Sequence, residues 1–314
     1  MRRLVAEVAL GLRDHVLPLL GSHAGRAHVQ AGAGGDVTFA IDEQAESWLE
    51  QYLAERAPGL AFYSVDRGLV EPPGGRAEAV LVVDPLDGTR PAMAGLESCC
   101  VAVAAAPLHD GAPSMGDVTV ACVAEIKTGT TFLAERGAGV GILTAAGDQV
   151  PVRLSSNTDI ARMFWTLGFR GRPAGPLVTV LGELIDASSG GGAVFDLGSA
   201  AFDLPRIATG QLDAYLDVGS RMIEEVPAMR AQFEHVGGGA VLNNSPYDLA
   251  AAVLCVEEAG AVVTDAFGRP LSARPLLGSG HDFQMSCVAA ASSELHAAIL
   301  FRLERGIERL RAQE

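Results

Sequence analysis

Hydrophobic residues recur along the chain at two different spacings, which distinguish predicted helices from predicted strands. Between residues 4 and 20 they recur every three or four positions, which predicts an amphipathic helix that Pro18 kinks or ends. After a Gly/Ala-rich loop at residues 21–35, the same spacing returns through residues 45–53. Two more helices are predicted at residues 176–187 and 292–311. Short apolar runs predict strands at residues 60–63, 79–83, 99–107, 118–126, 130–135, 163–167, 193–197 and 287–291.

One of these apolar runs, residues 79–83, leads directly into acidic residues. An unbroken run of this length is typical of a strand buried on both faces, and we expect the chain to leave the core at Asp84. Pro85 has no N–H group and is expected to end the hydrogen-bonded ladder, so that Asp84 and Asp87 are presented together. Two close carboxylates repel each other unless a cation lies between them, and Mg²⁺ suits such an oxygen site.

Gly88 and Thr89 follow these acids. Gly88 allows a tight backbone path, and both N–H groups would face an anion if a helix or turn begins there. The stretch therefore predicts a site for a metal ion and a phosphate group. The alternative that spacing alone leaves open is a strand followed by an aspartate-rich turn.

The segment Asp-Pro-Leu-Asp-Gly-Thr at residues 84–89 resembles the signature of the Mg²⁺-dependent inositol monophosphatase and fructose-1,6-bisphosphatase superfamily. The Ile41-Asp42 pair is most similar to its archaeal-type bifunctional branch. Three later segments also resemble the superfamily, at residues 198–204, 210–217 and 247–252.

The resemblance covers nearly the whole chain and implies a fold of the α+β or α/β class, a layered αβαβα sandwich. We expect two halves, residues 1–147 with the metal motif and residues 148–314 with the substrate segments and Asp248. Dimerisation is expected only by analogy, as a homodimer.

For the site, the resemblance implies two or three Mg²⁺ ions, with Mn²⁺ as a substitute. One ion would lie near the leaving-group oxygen, held by Asp84, Asp87 and Asp248. Another would lower the pKa of a bound water, held by Asp84, the carbonyl group of Leu86 and Asp66.

The resemblance also implies that Thr89, with Asp42, orients the attacking water. The N–H groups of Gly88 and Thr89 would receive phosphate oxygens. Asp42 and Asp248 each lie near a predicted helix start, so simple N-capping is an alternative for both.

Four residues are implied in substrate binding. Gly198 and Ser199 would let a sugar or inositol approach, although the same small residues suit close helix packing. Asp217 stands where an acid often bonds substrate hydroxyl groups. Arg90 would contact the substrate, with a surface arginine as the alternative. Residues 222–245 form an insertion that is expected to shape the rim of the site or an interface.

The chain departs from the superfamily pattern at Val65. The resemblance places a metal-bridging glutamate there, and valine cannot ligate a metal. Either Asp66 replaces it through a backbone shift or one metal site is weak or absent. Glu71, on a Pro/Gly-rich loop, is a distant substitute and is expected to be solvated.

Composition and charge narrow the class of protein. The chain of 314 residues has 49% hydrophobic and 19% charged residues, which is typical of a globular enzyme. Its net charge of −15 argues against a nucleic-acid polymer or an anionic membrane as partner. The five cysteines form no CxxC pair and are expected to be buried in a reducing compartment. Without a signal peptide or a membrane-length apolar run, a cytoplasmic location is expected.

Other kinds of chemistry lack support in the sequence. The glycine-rich segment at residues 137–141 is followed by no helical pattern, as a dinucleotide site requires. Residues 278–282, Gly-Ser-Gly-His-Asp, fit neither the spacing nor the context of a serine hydrolase. No zinc-hydrolase or P-loop motif is present.

The predicted function is a Mg²⁺-dependent phosphomonoesterase. It would hydrolyse a small sugar, inositol or nucleoside phosphate by direct in-line attack of a metal-activated water, without a covalent enzyme intermediate. The alternative is a non-catalytic phospholigand-binding relative that has lost a metal site because of Val65.

Overall fold

The computed structural model describes residues 1–22, 28–31, 37–108 and 112–313, and both helices and strands occur in each half of the chain. The helices are α1 (Arg2–Val16), α2 (Ala40–Arg56), α3 (Thr89–Ala94), α4 (Ala174–Ser188), α5 (Ala200–Asp203), α6 (Pro205–Ala208), α7 (Gly219–Glu225), α8 (Met229–Val236), α9 (Pro246–Glu258) and α10 (Ser293–Arg311). The strands are β1 (His28–Ala31), β2 (Val37–Phe39), β3 (Ala61–Ser64), β4 (Gly68–Val70), β5 (Ala79–Asp87), β6 (Cys100–Pro107), β7 (Val120–Glu125), β8 (Thr131–Glu135), β9 (Gly139–Leu143), β10 (Gln149–Val150), β11 (Phe164–Leu167), β12 (Ala193–Phe195), β13 (Ala214–Asp217), β14 (Val262–Thr264) and β15 (Cys287–Ala290).

These strands form two principal sheets. The larger has the order β10-β9-β8-β7-β6-β5-β3-β4 and is antiparallel except between β3 and β5. The smaller has the order β12-β11-β13-β15-β14, with parallel pairing from β12 to β13 and antiparallel pairing beyond. The short strands β1 and β2 pair separately.

Helices cover both sheets in alternating layers. Helices α1 and α2 pack on one face of the large sheet, and α5, α6 and α9 fill the space between its other face and the small sheet. Helices α4 and α10 cover the outer face of the small sheet. The predicted αβαβα sandwich is therefore confirmed.

Strand β5 lies in the middle of the large sheet and belongs to two cores at once. Val80 and Val82 pack into the core shared with α9, whereas Leu81 and Val83 pack into the core under α1 and α2. This alternation explains why the run is apolar at every position, because each face of the strand is buried.

The expectation that Pro85 ends the ladder is wrong, because β5 continues to Asp87. Asp84 pairs with Ala102 and Asp87 pairs with Cys100, so three steps along β5 match two along β6. Pro85 removes one ladder hydrogen bond, and the chain absorbs the extra residue as a bulge and then pairs again.

Other predictions along the chain have mixed outcomes. The predicted loop at residues 21–35 contains strand β1, and residues 23–27 and 32–36 of that loop lie outside the described residues. A turn predicted at residues 110–111 also lies outside them. All five cysteines are buried and free, as expected.

The division into two halves stays a prediction. Strand β10, from the second half, pairs with β9 of the first, and one hydrophobic core contains residues from both halves. No helix in the described part of the chain combines the length and the apolar character needed to span a membrane.

Two helical glycines in the outer layer allow a matched test of this packing. A Cβ atom at Gly306 of α10 would lie 2.1 Å from the carbonyl oxygen of Val180 in α4, whereas a Cβ atom at Gly182 would meet nothing closer than 3.8 Å. Gly306→Ala is therefore expected to lower the free energy of unfolding by roughly 1–3 kcal/mol. Gly182→Ala should raise it by roughly 0.5–1 kcal/mol, through helix propensity. Urea unfolding measures both, and stabilisation by both variants would contradict the close approach of α10 to α4.

Candidate active site

A cavity of about 480 Å³ gathers residues from both halves of the chain. Its charged lining consists of Asp42, Glu46, Asp66, Asp84, Asp87, Asp196, Asp203, Asp248, Arg90, Arg170 and Arg172. Every site residue predicted from the sequence lines this cavity except Asp217. The roles assigned to these residues stay predictions, but the structure brings them to one place.

Three carboxylates form the acidic centre of the cavity. Asp84 and Asp87 come from the bulged end of β5, and Asp248 comes from the first turn of α9. One carboxylate oxygen from each of the three lies within 4.8 Å of the others, and Asp84 is only 5% exposed. We call these three residues the carboxylate trio.

Each member of the trio accepts a hydrogen bond from a backbone N–H group. Asp84 Oδ1 accepts from Leu86 at 3.1 Å, Asp87 Oδ2 from Ala201 at 2.6 Å, and Asp248 Oδ2 from Ser245 at 2.6 Å. For Asp248 this is the capping interaction that the sequence left open as an alternative. A carboxylate has two oxygens, so capping and membership of the trio coexist.

Burial raises the pKa of all three carboxyl groups, to well above the usual range for Asp84 and Asp248. For Asp84 the neighbouring charges of Asp87 and Asp248 raise the pKa further. Close, desolvated carboxylates are unfavourable as anions, and a divalent cation relieves both the desolvation and the repulsion. The donor set therefore fits a hard divalent cation.

Thr89 and Asp42 lie side by side next to the trio. The Thr89 hydroxyl oxygen is 3.0 Å from Asp42 Oδ1 and 3.2 Å from the carbonyl oxygen of Leu86. Asp42 Oδ2 meanwhile accepts from the N–H group of Phe39 at 2.9 Å and so caps α2. As with Asp248, one carboxylate oxygen caps the helix and leaves the other for contacts at the cavity.

Val65 and Asp66 line the cavity at the end of β3, beside a buried acid that the sequence analysis missed. Glu46 is fully buried, and its carboxylate accepts hydrogen bonds from Ser64 Oγ at 2.7 Å and from the N–H group of Asp66 at 3.2 Å. Burial raises the pKa of Glu46 to about 7. The signal for it was a glutamate one helical turn after Asp42, and therefore on the same face of α2.

Gly88 requires glycine for two reasons. Its φ of 85° lies in the left-handed region, and a Cβ atom would lie 2.5 Å from the carbonyl oxygen of Ser98. Ser199 is buried, and its hydroxyl accepts from the N–H group of Phe202 at 3.1 Å, which caps α5. The Ser199 hydroxyl, which lines the cavity, also stabilises the carboxylate of Asp87.

The position of Asp217 corrects its predicted contact with substrate hydroxyl groups. Asp217 is fully buried and forms an ion pair with Arg172, which itself lines the cavity. The sequence could not show that an arginine from the loop after β11 lies between Asp217 and the cavity. Arg90 is exposed and lines the cavity, with its guanidinium 5.7 Å from the centre of the Phe39 ring, and its contact with the substrate stays a prediction.

The insertion contributes the polar wall of the cavity. Leu242, Asn243 and Asn244 follow helices α7 and α8 and line the cavity. Asn244 donates to the hydroxyl group of Tyr215 at 2.8 Å. Asn243 is 6% exposed, and neither its amide nitrogen nor its amide oxygen has a hydrogen-bond partner among the described residues. A buried, unsatisfied amide on a cavity wall is suited to a polar ligand.

The layered fold thus carries, in one cavity, a cluster of three carboxylates that could hold a metal ion. The chain belongs to the inositol monophosphatase family, which it matches over residues 1–307. The predicted resemblance and the predicted enzyme class, a phosphatase, are therefore confirmed.

Individual relatives resemble the chain over most of its length. A fructose-1,6-bisphosphatase/inositol-1-monophosphatase of Methanothermobacter thermautotrophicus is 27% identical over 92% of this chain and 91% of its own. An inositol-1-monophosphatase of Caulobacter vibrioides is 28% identical over 87% of this chain and 88% of its own. The solved structure of an IMPase from Thermotoga maritima has the same fold, with a TM-score of 0.68 and 20% identity, covering 99% of this chain and 100% of that one.

Glu46 predicts a measurable pH dependence of stability. Its pKa is about 7 in the folded protein, against an ordinary value of 4.5, so the carboxyl group favours folding below about pH 4.5 and loses that contribution as pH rises through 7. In Glu46→Gln, which keeps an acceptor for Ser64, the stability relative to wild type should improve by up to about 3 kcal/mol from pH 4.5 to pH 8.

Urea unfolding at several pH values, with EDTA present, measures this difference. The matched control is Glu55→Gln, an exposed position on the same helix. A stability difference for Glu46→Gln that stays constant with pH within about 0.5 kcal/mol would show that the Glu46 carboxyl is not perturbed.

Proposed function

We propose that the protein is a Mg²⁺-dependent phosphomonoesterase acting on a small sugar, inositol or nucleoside phosphate. The observation that carries this proposal is the carboxylate trio, with Asp84 buried, beside the hydrogen-bonded Thr89 and Asp42. The names of the relatives, which include a fructose-1,6-bisphosphatase/inositol-1-monophosphatase, support the substrate class.

The trio would hold one cation through Asp84, Asp87 and Asp248. A second would be held by Asp84, the carbonyl oxygen of Leu86 and Asp66. Bound divalent cations supply Lewis acidity that offsets the charge of the phosphate and lowers the pKa of a water.

Thr89 and Asp42 orient the attacking water in this proposal. When the Thr89 hydroxyl donates its one hydrogen to Asp42 Oδ1, its lone pairs are left to accept a hydrogen bond from the water. The Asp42 carboxylate holds the hydroxyl in that orientation, because its other oxygen is fixed by the N–H group of Phe39. The water is then aligned for direct attack on phosphorus.

Phosphate and substrate groups would bind along the remaining wall. Thr89 is the first residue of α3, so its N–H group has no partner within the helix and would be available to phosphate oxygens. The N–H group of Gly88 already stabilises Asp87, so it would be shared between carboxylate and phosphate. Gly198, Ser199 and Arg90 would border the rest of the substrate.

The predicted homodimer and cytoplasmic location complete the proposal without altering the site. The alternative of a non-catalytic phospholigand-binding protein rests on Val65, which lines the cavity where the resemblance places a metal-bridging glutamate. A screen of phosphate release from a panel of esters with Mg²⁺ separates the two, since the alternative predicts no turnover on any ester.

Asp84→Asn tests the trio directly. With Mg²⁺ present, phosphate release is expected to fall about a hundredfold or more, because Asp84 is shared by both proposed cation positions. In EDTA the same variant should unfold at an equal or higher urea concentration than wild type, since one buried like charge has been removed. Asp148→Asn, in an exposed turn, is the control. Unchanged Mg²⁺-dependent phosphate release in Asp84→Asn would refute the proposed mechanism.

Val65→Glu tests the missing ligand. A carboxylate restored at this position should raise Mg²⁺ affinity, measured by calorimetry, at least about tenfold. Val65→Gln has a similar size without the charge and should leave the affinity near that of wild type. An unchanged affinity in Val65→Glu would mean that Asp66 already replaces the missing glutamate as a metal ligand.

A further inference from the structure

The loop after β11 carries two arginines, Arg170 and Arg172, for which the proposed mechanism has no role. Both line the cavity, whose described lining otherwise contains eight acidic side chains and Arg90. Fixed positive charge is scarce in this cavity, although a phosphate dianion is proposed to enter it. The two arginines are therefore the first candidates to supply that charge.

The side chain of Arg172 already forms hydrogen bonds with other groups of the protein. It is 7% exposed; one terminal nitrogen pairs with Asp217, and the other donates to the carbonyl oxygens of Arg170 and, at 2.7 Å, of Leu242. Asp217 in turn accepts from the N–H group of Gly219 at 3.0 Å. These bonds join β13, the loop after β11 and the insertion into one buried unit. Arg172 therefore holds the loop in place.

Arg170 is held by this unit through its backbone. Its carbonyl oxygen accepts from the side chain of Arg172, and the N–H group of Arg172 donates to Phe169 at 3.1 Å, which closes a turn around Arg170. Its guanidinium lies near enough to Asp87 and Asp248 to lower the pKa of both carboxyl groups against the effect of burial. A fixed backbone thus presents this side chain to the trio.

We propose that Arg170 binds the phosphate group of the substrate, and that Asp217 and Arg172 are positioning residues that hold Arg170 in place. This inference rests on the proposed function, since it concerns the same site. A guanidinium offers two parallel N–H donors that match two phosphate oxygens. Arg170 would contribute a permanent positive charge to a site in which Val65 has removed one ligand for a cation.

The competing role for Arg170 is that of a counter-ion for the carboxylates alone. In that case its removal would increase the negative charge felt by cations, would raise Mg²⁺ affinity, and would leave phosphate affinity unchanged. The two roles therefore predict different effects on the two ligands, and inorganic phosphate is a sufficient probe.

The first test compares Arg170→Gln, Arg170→Lys and wild type by calorimetry with saturating Mg²⁺. In Arg170→Gln the dissociation constant for inorganic phosphate should rise roughly ten- to a hundredfold. Arg170→Lys keeps the charge but loses the two-donor geometry, so its dissociation constant should rise less. Arg153→Gln, an exposed position outside the cavity, is the control and should match wild type. A phosphate affinity in Arg170→Gln within about twofold of wild type overturns the proposal.

The second test addresses the positioning residues. Asp217→Asn should weaken phosphate binding in the wild-type background and cause no further loss in the Arg170→Gln background, because both changes act through one side chain. Equal losses in the two backgrounds would show that Asp217 acts independently of Arg170. Because Asp217→Asn leaves Arg172 without its buried partner, its thermal midpoint is measured alongside, and the test with Arg170→Gln decides the proposal if this variant does not fold.

These measurements separate the inference from the proposed function. If wild type binds phosphate through Arg170 but releases phosphate from no ester, the inference holds and the phosphomonoesterase proposal fails. If wild type turns over an ester while Arg170→Gln binds phosphate normally, the phosphomonoesterase proposal holds and the inference fails.

Discussion

The site depends on a rule of strand geometry, because successive side chains of a β-strand point to opposite faces. Asp84 and Asp87 are three residues apart, so on a regular strand they would lie on different sides of the large sheet. The extra residue that β5 accommodates near Pro85 shifts the alternation by one and brings both carboxylates to the same side. Asp248 can complete the trio only because α9 packs on that side of the sheet.

The trio is costly for the protein on its own, and the backbone limits that cost. Each carboxylate gives one oxygen to a backbone N–H group, which fixes its orientation and partly stabilises its charge. The other oxygen of each carboxylate is then held close to those of its neighbours in a desolvated environment. Such a site is organised before its cation arrives, so little ordering remains to be done on binding.

Local sequence predicted the parts of the site that lie within one segment, and missed those made by contacts between segments. Residues 84–89 could be found because the two acids directly follow a buried strand, whereas Asp248 and the layered fold followed from the resemblance. The bulge at Pro85 could not, because a proline also ends strands. The resemblance implied that Asp217 contacts the substrate. Its actual partner, Arg172, is 45 residues away in the chain, and nothing in the segment around Asp217 reveals it. Arg170 was overlooked for the same reason.

Helix α2 has a further consequence for how this site can change. Asp42 contacts Thr89, and Glu46, one turn later on the same face, holds Ser64 and the backbone of Asp66. Helix α2 therefore connects the residues proposed to orient water with the segment in which Val65 replaces the expected glutamate. A shift of α2 that adapted the end of β3 to a different ligand set would move Asp42 by a similar amount. Substitutions at these two places are thus expected to depend on each other over evolution.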